Sequence, residues 1–256
     1  MTDPNIACRI VETGTTHSGR WNMACDEWLL ESALQNGQAA VRVYAWSRPT
    51  VSLGHFQQPD HLDDNSRLVE LDQVRRLSGG GAIVHHHEWT YSCAVPPQDH
   101  RNRHGDSLYT RVHLALVNLI NQVTKPAGQI DTPLQLRGQA PKNDQPALCF
   151  ARTAADDVVR GSHKVLGSAQ RRRRGAILQH GSLLLQQSRF APEFLGLLDL
   201  VPGLKLPDDF SATIAHAIAT ALHWDASHKP LSPAEQAEIE QLADRPDRQP
   251  DQPSRS

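Results

Sequence analysis

The sequence predicts an α+β fold, in which a central mixed or antiparallel β-sheet carries helices on its outer faces. Apolar residues recur at the strand period in several short segments and at the helical period in a few longer ones. The strand-like segments also follow one another without the regular alternation of strand and helix that a parallel sheet requires. These two patterns together favour a sheet with helices packed outside it.

Four segments of the main body carry helical signals. Residues 20–37 form the first predicted helix, which stops at Gly37, a residue that ends helices readily. Residues 106–123 form the second, and residues 191–200 and 210–222 form the others. The second is amphipathic, with apolar residues at helical spacing: Leu108, Val112, Leu116, Leu119 and Val123.

Seven short segments have the composition and period of strands. In chain order they are VRVYAW, TVSLGHF, RLVELDQVRRL, WTYSCAV, DDVVR, KVLGSA and GAILQHGSLLL. The segments DDVVR and KVLGSA flank Gly161 and Ser162, so they predict a hairpin.

The amino-acid composition limits the classes of protein to which the chain can belong. The chain has 256 residues, of which 39% are hydrophobic, and its formal net charge is −2. This balance predicts a folded, soluble body and gives no overall reason to expect nucleic-acid binding. We find no apolar run long enough for a membrane helix and no signal peptide after Met1. The four cysteines lack metal-site and secreted-disulfide spacing, so we expect reduced thiols in the cytoplasm.

The chain is predicted to contain one catalytic body, residues 6–224, followed by a C-terminal segment, residues 225–256. That segment starts with a short helix, in which Ser232 is the cap, Pro233 fits the first turn and Glu235 completes a capping box. The charged, Pro-rich end after it has too few apolar residues to order itself.

A run of three glycines, Gly79, Gly80 and Gly81, follows Arg75 and Arg76. Three glycines without side chains let backbone N–H groups approach a ligand closely, although a loose hairpin turn would use the same residues. No Gly-Lys-Ser/Thr follows and the G-x-G-x-x-G spacing is absent, so a nucleotide-phosphate loop is not predicted. Alternation along a strand places only one of the two arginines in a site.

His85, His86, His87 and Glu88 are consecutive and suggest a metal site at first sight. On a strand, however, His85 and His87 share one face and His86 points to the other. No second pair of ligands has zinc-site spacing, so we expect no metal and interpret His85 as a buried pocket residue.

Cys149 begins an ordered element after a loop rich in Pro and Gly, and Lys164 follows the predicted hairpin turn. Taken alone, such a cysteine is usually a small buried hydrophobic residue and such a lysine is usually solvated. Three tiny residues after the lysine leave room for a ligand against the strand: Gly167, Ser168 and Ala169. His180 and Gly181 interrupt a later apolar strand. A polar side chain such as that of His180 in an apolar strand requires a hydrogen-bond partner or a function.

These residue types suit acyl transfer. A cysteine thiolate exchanges acyl groups with thioesters at nearly equal energy, and a nearby cation stabilises the thiolate and the developing oxyanion. Cys149 as a nucleophile and Lys164 as its electrostatic partner fit this chemistry, although the sequence alone does not prove that their segments meet in space.

Several spaced motifs over about residues 8–200 resemble the lipoate–biotin ligase and acyltransferase superfamily. They are NMACDEWLL, YAWSRPTVSLGHFQQ, RRLSGGGAIVHHHEWTYS, LCF and KVLGSAQRRRRGAILQHGSLLL. Within that superfamily the chain is most similar to the cysteine-dependent octanoyltransferases of the LipM type, which carry Cys-Phe before the lysine strand. The resemblance implies a biotin/lipoate protein ligase-like core, similar to that of class II synthetases.

The resemblance implies that Cys149 takes octanoate from octanoyl acyl carrier protein as a thioester and that Lys164 assists its transfer. The acceptor would be a lysine of a lipoyl domain or of the glycine-cleavage H protein, and no cofactor is required. Residues implied or interpreted as lining the substrate site are Arg75, Arg76, Gly79, Gly80, Gly81, His85, Gly167, Ser168, Ala169, His180 and Gly181. The basic run Arg171–Arg174 would steer acidic carrier proteins, or would simply be a solvated hairpin tip.

Three alternatives stay open on the sequence. A lipoate–protein ligase would use ATP and Mg²⁺, and the third glycine, Gly81, favours it. An amidotransferase between lipoyl domains would use the same cysteine chemistry. A silent acyl- or lipoyl-domain-binding protein would have no reason to keep both Cys149 and Lys164.

Overall fold

A computed structural model describes residues 6–58, 62, 66–102, 105–124, 132–139 and 146–245. Among these residues, eight strands form a main sheet in the order β11-β1-β2-β6-β10-β9-β8-β7. Their bounds are β1 Ile6–His17, β2 Ala39–Trp46, β6 Glu88–Val95, β7 Gln135–Leu136, β8 Val158–Arg160, β9 His163–Arg173, β10 Ala176–Leu184 and β11 Trp224–His228. The sheet is mixed, since β1 pairs in parallel with β2 and β11 while the central strands are antiparallel.

A smaller sheet of three strands, in the order β4-β3-β5, lies beside the main one. Its strands are β3 Thr50–Leu53, β4 Asp72–Arg75 and β5 Ile83–His85. The helices are α1 Gly19–Asn36, α2 Ser66–Val69, α3 Gly105–Thr124, α4 Leu197–Leu200, α5 Phe210–Ala221 and α6 Pro233–Ala243.

Helices cover both faces of the main sheet. On one face, α3 and α5 pack with the strands in a single apolar cluster that includes Leu116 and Ile214. On the other face, α1 and α6 pack in a second cluster that includes Leu29 and Ile239. The predicted α+β class, a mixed sheet with flanking helices, is therefore confirmed.

The structure differs from the sequence-based expectation at several elements. The long strand β1 and the edge strand β11 were not predicted, and they pair with each other in parallel. The expected strand at residues 67–77 is a short helix, α2, followed by β4, and the expected helix at residues 191–200 is reduced to α4.

The folded part of the chain continues past the expected end of the body at residue 224. β11 extends the main sheet beyond that point, and α6 is fixed to it by Arg9, which pairs with Glu235 at 2.6 Å. The predicted cap of α6 by Ser232 and its capping box with Glu235 are confirmed. The expected disordered end, residues 246–256, lies outside the described residues.

None of the helices that the structure describes is long and apolar enough to span a membrane.

Candidate active site

A pocket lies between the central strands of the main sheet and the small sheet. The sheet supplies its floor through β9 and β10, and the small sheet supplies a wall through β3 and β5. We call it the Cys149 pocket. Its lining includes Cys149, Arg76, His85, Gly167, Ser168, Ala169, His180 and Gly181.

The segment that carries Cys149 rests directly on the glycine stretch. A short 3-10 helix, Cys149–Ala151, begins at the cysteine, and the backbone N–H of Cys149 donates to the carbonyl of Ala82 at 2.8 Å. A side chain at Gly81 would come within 2.5 Å of the Ala147 carbonyl oxygen and 2.9 Å of the Cys149 nitrogen. Gly81 therefore permits this close contact, which presents the thiol to the pocket.

Cys149 differs from the other three cysteines in its exposure. Cys8, Cys25 and Cys93 are buried, whereas Cys149 is partly accessible. Burial raises the pKa of Cys25 and of Cys93 to about 12, so neither thiol forms a thiolate at neutral pH. Cys149 is thus the cysteine positioned for chemistry.

Lys164 lies beside the pocket, on β9. Its Nζ is 2.9 Å from Oδ1 of Asp157 and donates to the carbonyl oxygens of Cys149 and Arg152, both at 3.3 Å. A β-bulge between β8 and β9 changes the alternation of side chains, so Lys164 lies on the same side as Gly167. The lysine is therefore a buried cation with a carboxylate partner, next to the backbone of the cysteine.

Arg76 is a second buried cation at the pocket. Its Nη1 donates to Ser52, and its Nη2 donates to the carbonyls of Gly79 at 2.8 Å and Gly81 at 2.6 Å. Among the described residues no carboxylate compensates its charge, and burial lowers its pKa to about 10 while the nearby Cys149 acts to raise it. Arg76 therefore presents an uncompensated positive charge close to the cysteine.

Arg76 and Cys149 meet at Gly80. A Cβ at Gly80 would lie 3.0 Å from Nη2 of Arg76 and 3.9 Å from Sγ of Cys149. Gly80 itself has φ +97°, a conformation that residues with side chains rarely adopt. The glycine keeps the space between guanidinium and thiol open.

Two lines of Ser, His and carboxylate run along the pocket wall. In the first, Nε2 of His85 is 2.7 Å from the Ser52 hydroxyl and Nδ1 is 2.7 Å from Glu88. Burial lowers the pKa of His85, although Glu88 acts in the opposite direction. His85 is also stacked on Trp46, with ring centroids 3.7 Å apart. The ring is thereby fixed in orientation.

The second line explains the histidine that interrupts an apolar strand. Nε2 of His180 is 2.5 Å from the Ser78 hydroxyl, and Nδ1 is 3.0 Å from Oδ2 of Asp26, a buried residue of α1. Asp26 also accepts a hydrogen bond from Ser92 at 2.7 Å. The line ties α1 to the central strands and to the start of the glycine stretch.

Eight of the thirteen candidate site residues line the pocket, and five do not: Arg75, Gly79, Gly80, Gly81 and Lys164. Arg75 donates to the carbonyls of Gly54 and Gln57 and does not line the pocket, so only Arg76 enters it, as alternation predicts. Gly79 contributes a carbonyl to Arg76 and no lining surface.

The expected strand geometry of the histidine run is wrong beyond its first residue. β5 ends at His85, and His87 has φ +55°, so the chain turns there. The rings of His86 and His87 lie side by side, with centroids 3.6 Å apart, instead of on opposite faces. In the described part of the chain no group of three His, Cys, Asp or Glu side chains could hold a metal ion.

Sequence reasoning missed the carboxylates that support the site. Asp157 pairs with Lys164, Asp26 with His180 and Glu88 with His85. Asp157 follows another aspartate just before a strand, and Asp26 lies in an otherwise amphipathic helix, so neither position differs from a solvated surface acid. Only the burial of these side chains identifies them.

Known proteins similar to this chain include several octanoyltransferases named LipM. The one from Moorella thermoacetica is 33% identical over 212 residues, which cover 80% of this chain and 72% of that protein. The one from Carboxydothermus hydrogenoformans is 35% identical over 66% of this chain and 62% of its own length. The one from Symbiobacterium thermophilum is 33% identical over 84% of this chain and 80% of its own.

Solved structures show the same fold. Protein Ta0514 of T. acidophilum has a TM-score of 0.68 at 20% identity, covering 94% of this chain and 95% of that one. A lipoate-protein ligase A bound with ATP has a TM-score of 0.66 over the same shares, also at 20% identity. The family model of the lipoyl protein ligase A/B catalytic domain matches residues 18–195. The superfamily resemblance in the sequence is thereby confirmed, and the chain belongs to the lipoyl protein ligase A/B catalytic domain family.

Proposed function

We propose that this protein is an octanoyltransferase of lipoate biosynthesis that works through an acyl thioester on Cys149. The donor is octanoyl acyl carrier protein, and the acceptor is a lysine of a lipoyl domain or of the glycine-cleavage H protein. The observation that carries the proposal is one accessible thiol in a pocket that also holds the Arg76 guanidinium, whose charge no carboxylate of the described residues compensates. The names of the relatives support the acyl group and the class of reaction.

The reaction has two balanced steps. In the first, the Cys149 thiolate attacks the carbonyl carbon of the donor thioester, and the bond between that carbon and the carrier sulfur breaks. The carrier leaves as a thiol after it takes up a proton. In the second, the uncharged amine of the acceptor lysine attacks the carbonyl carbon of the new thioester, and the bond between that carbon and Sγ of Cys149 breaks. An amide forms, the amine gives up one proton to solvent, and Cys149 is released as thiolate. Exchange of one thioester for another requires no ATP.

The two cations have different roles in this mechanism. Arg76 lacks a carboxylate partner among the described residues, so its charge is available to the thiolate and to the oxyanion of each tetrahedral intermediate. Lys164 is already paired with Asp157 and is bound to the Cys149 carbonyl, so it holds the nucleophile segment in place. Its Nζ also lies next to Gly167, a residue that lines the pocket, which supports a role in acyl transfer.

The basic hairpin tip fits an acidic protein donor and acceptor. Arg172, Arg173 and Arg174 are exposed at the turn between β9 and β10, and Arg173 also pairs with Glu31. Positive charge at the end of the strands that line the pocket would raise the association rate with acidic carrier proteins.

Intact-mass spectrometry tests the proposal. The protein is mixed with octanoyl acyl carrier protein without ATP, and the mass of wild type is compared with that of Cys149→Ala and of a matched control, Cys8→Ala. We expect one octanoyl group on wild type and on the control, and none on Cys149→Ala.

Two further arms distinguish the alternatives: one adds ATP, lipoate and a lipoyl domain, and the other replaces the carrier protein by an octanoylated lipoyl domain as donor. ATP-dependent lipoylation of a lipoyl domain by both wild type and Cys149→Ala, without an adduct, would identify a ligase. Loading from an octanoylated lipoyl domain and not from the carrier protein would identify an amidotransferase. Absence of every adduct and product would identify a binding protein.

A further inference from the structure

A second cavity lies beside the Cys149 pocket. Two residues, Ile83 and Phe150, line both spaces and therefore form the wall between them. We call this second space the side cavity. The polar members of the rest of its lining are His86, Gln186 and Ser188. The other lining residues are apolar: Ala82, Val84, Leu148, Leu184, Ala191 and Phe194.

Phe150 is positioned to control passage between the two spaces. It follows Cys149 directly in the chain, and its side chain is buried. Its ring centroid lies 5.9 Å from that of Phe194 on the side-cavity side and 5.2 Å from Nζ of Lys164 on the other. An acyl chain attached to Cys149 starts next to this ring.

We propose that Phe150 and Ile83 set the length of the acyl chain by closing the side cavity to it. This inference rests on the proposed acyl-Cys149 chemistry. A medium chain fills the Cys149 pocket and ends against the wall, whereas a longer chain has no apolar space for its last methylenes. Removing the wall would join two apolar spaces, and a longer fatty acyl chain would bury its end in the side cavity.

The expected effect is large, because each buried methylene favours binding by about fourfold. Four additional methylenes in the joined space would raise loading of dodecanoyl relative to octanoyl by on the order of 100-fold. Phe150→Ala is the main variant. Ile83→Ala opens the same wall from the small sheet, so the test does not depend on one variant folding.

The test is a competition among acyl carrier proteins loaded with six to sixteen carbons, read by the mass of the acyl-enzyme. We expect octanoyl on wild type and a shift towards dodecanoyl and longer chains on Phe150→Ala and Ile83→Ala. Ala191→Phe, which fills the side cavity, should return the Phe150→Ala enzyme to shorter chains while leaving the wild-type preference unchanged.

The outcomes separate this inference from the proposed function. If wild type carries no acyl group from any donor, the thioester chemistry fails. If wild type and both folded wall variants load octanoyl with the same preference, the wall does not set chain length and the inference is overturned.

Discussion

Replacing Gly167 with alanine should displace Lys164 and slow octanoyl transfer. A Cβ at Gly167 would lie 2.5 Å from Cε and 2.9 Å from Nζ of Lys164, whereas ordinary contacts begin at 3.4 Å. To reach ordinary contact, Cε must therefore move by about 0.9 Å and Nζ by about 0.5 Å, and a misplacement that approaches 1 Å can cost about 100-fold in rate. The assay is single-turnover transfer of octanoyl from its carrier protein to a lipoyl domain.

A double-mutant cycle separates this effect from a general loss of structure. If Gly167→Ala acts through the lysine, it should add little to the defect of Lys164→Ala, so the two effects are strongly non-additive. Thermal unfolding of each variant serves as the control for folding. An unchanged rate in a folded Gly167→Ala enzyme, or fully additive effects in the cycle, would refute the assigned position of Lys164.

Three further predictions concern the charges of the molecule. Arg76→Gln should slow acylation of Cys149 by about 10²- to 10³-fold, as the loss of an oxyanion-stabilising group does, which stopped-flow mixing followed by mass spectrometry would measure. Asp157→Ala should lower the free energy of unfolding by about 3–5 kcal/mol in urea denaturation, because Lys164 would stay buried without its counter-ion. The hydrogen bond from Arg9 lowers the pKa of Glu235 to about 2, below its ordinary value of 4.5. Its stabilising effect is therefore present above about pH 4.5 and is lost as the pH falls towards 2, and Glu235→Gln should reduce the acid dependence of Tm in that range.

Local sequence patterns were sufficient for much of the fold. The helical period and the terminal glycine predicted α1, and the Ser-x-x-Glu box predicted α6, because these signals depend on residues close in the chain. The edge strand β11 was missed because only Trp224 and Ala226 in it are apolar, and its pairing partner β1 lies more than 200 residues away. Pairing over such a distance leaves no local signal.

In the candidate site, too, local sequence signals predicted some features, and features that depend on distant residues were missed. Motif and residue type were enough to single out Cys149 and His180, which line one pocket, and Lys164, which lies beside it. The bulge that turns Lys164 towards Gly167 depends on the register between β8 and β9, which the sequence does not specify. Lys164 has a carboxylate partner and Arg76 has none among the described residues, and this distinction likewise depends on burial and on partners distant in the chain.

The most direct test of the acyl-enzyme account is a chase of isolated, isotope-labelled octanoyl-protein with an unmodified lipoyl domain. The labelled protein is freed of donor, mixed with the domain in the absence of ATP, and both masses are followed over time. The account predicts that the label leaves Cys149 at the same rate at which it appears as an amide on the domain lysine. A label that stays on the protein while free donor still supports transfer would contradict Cys149 as the intermediate.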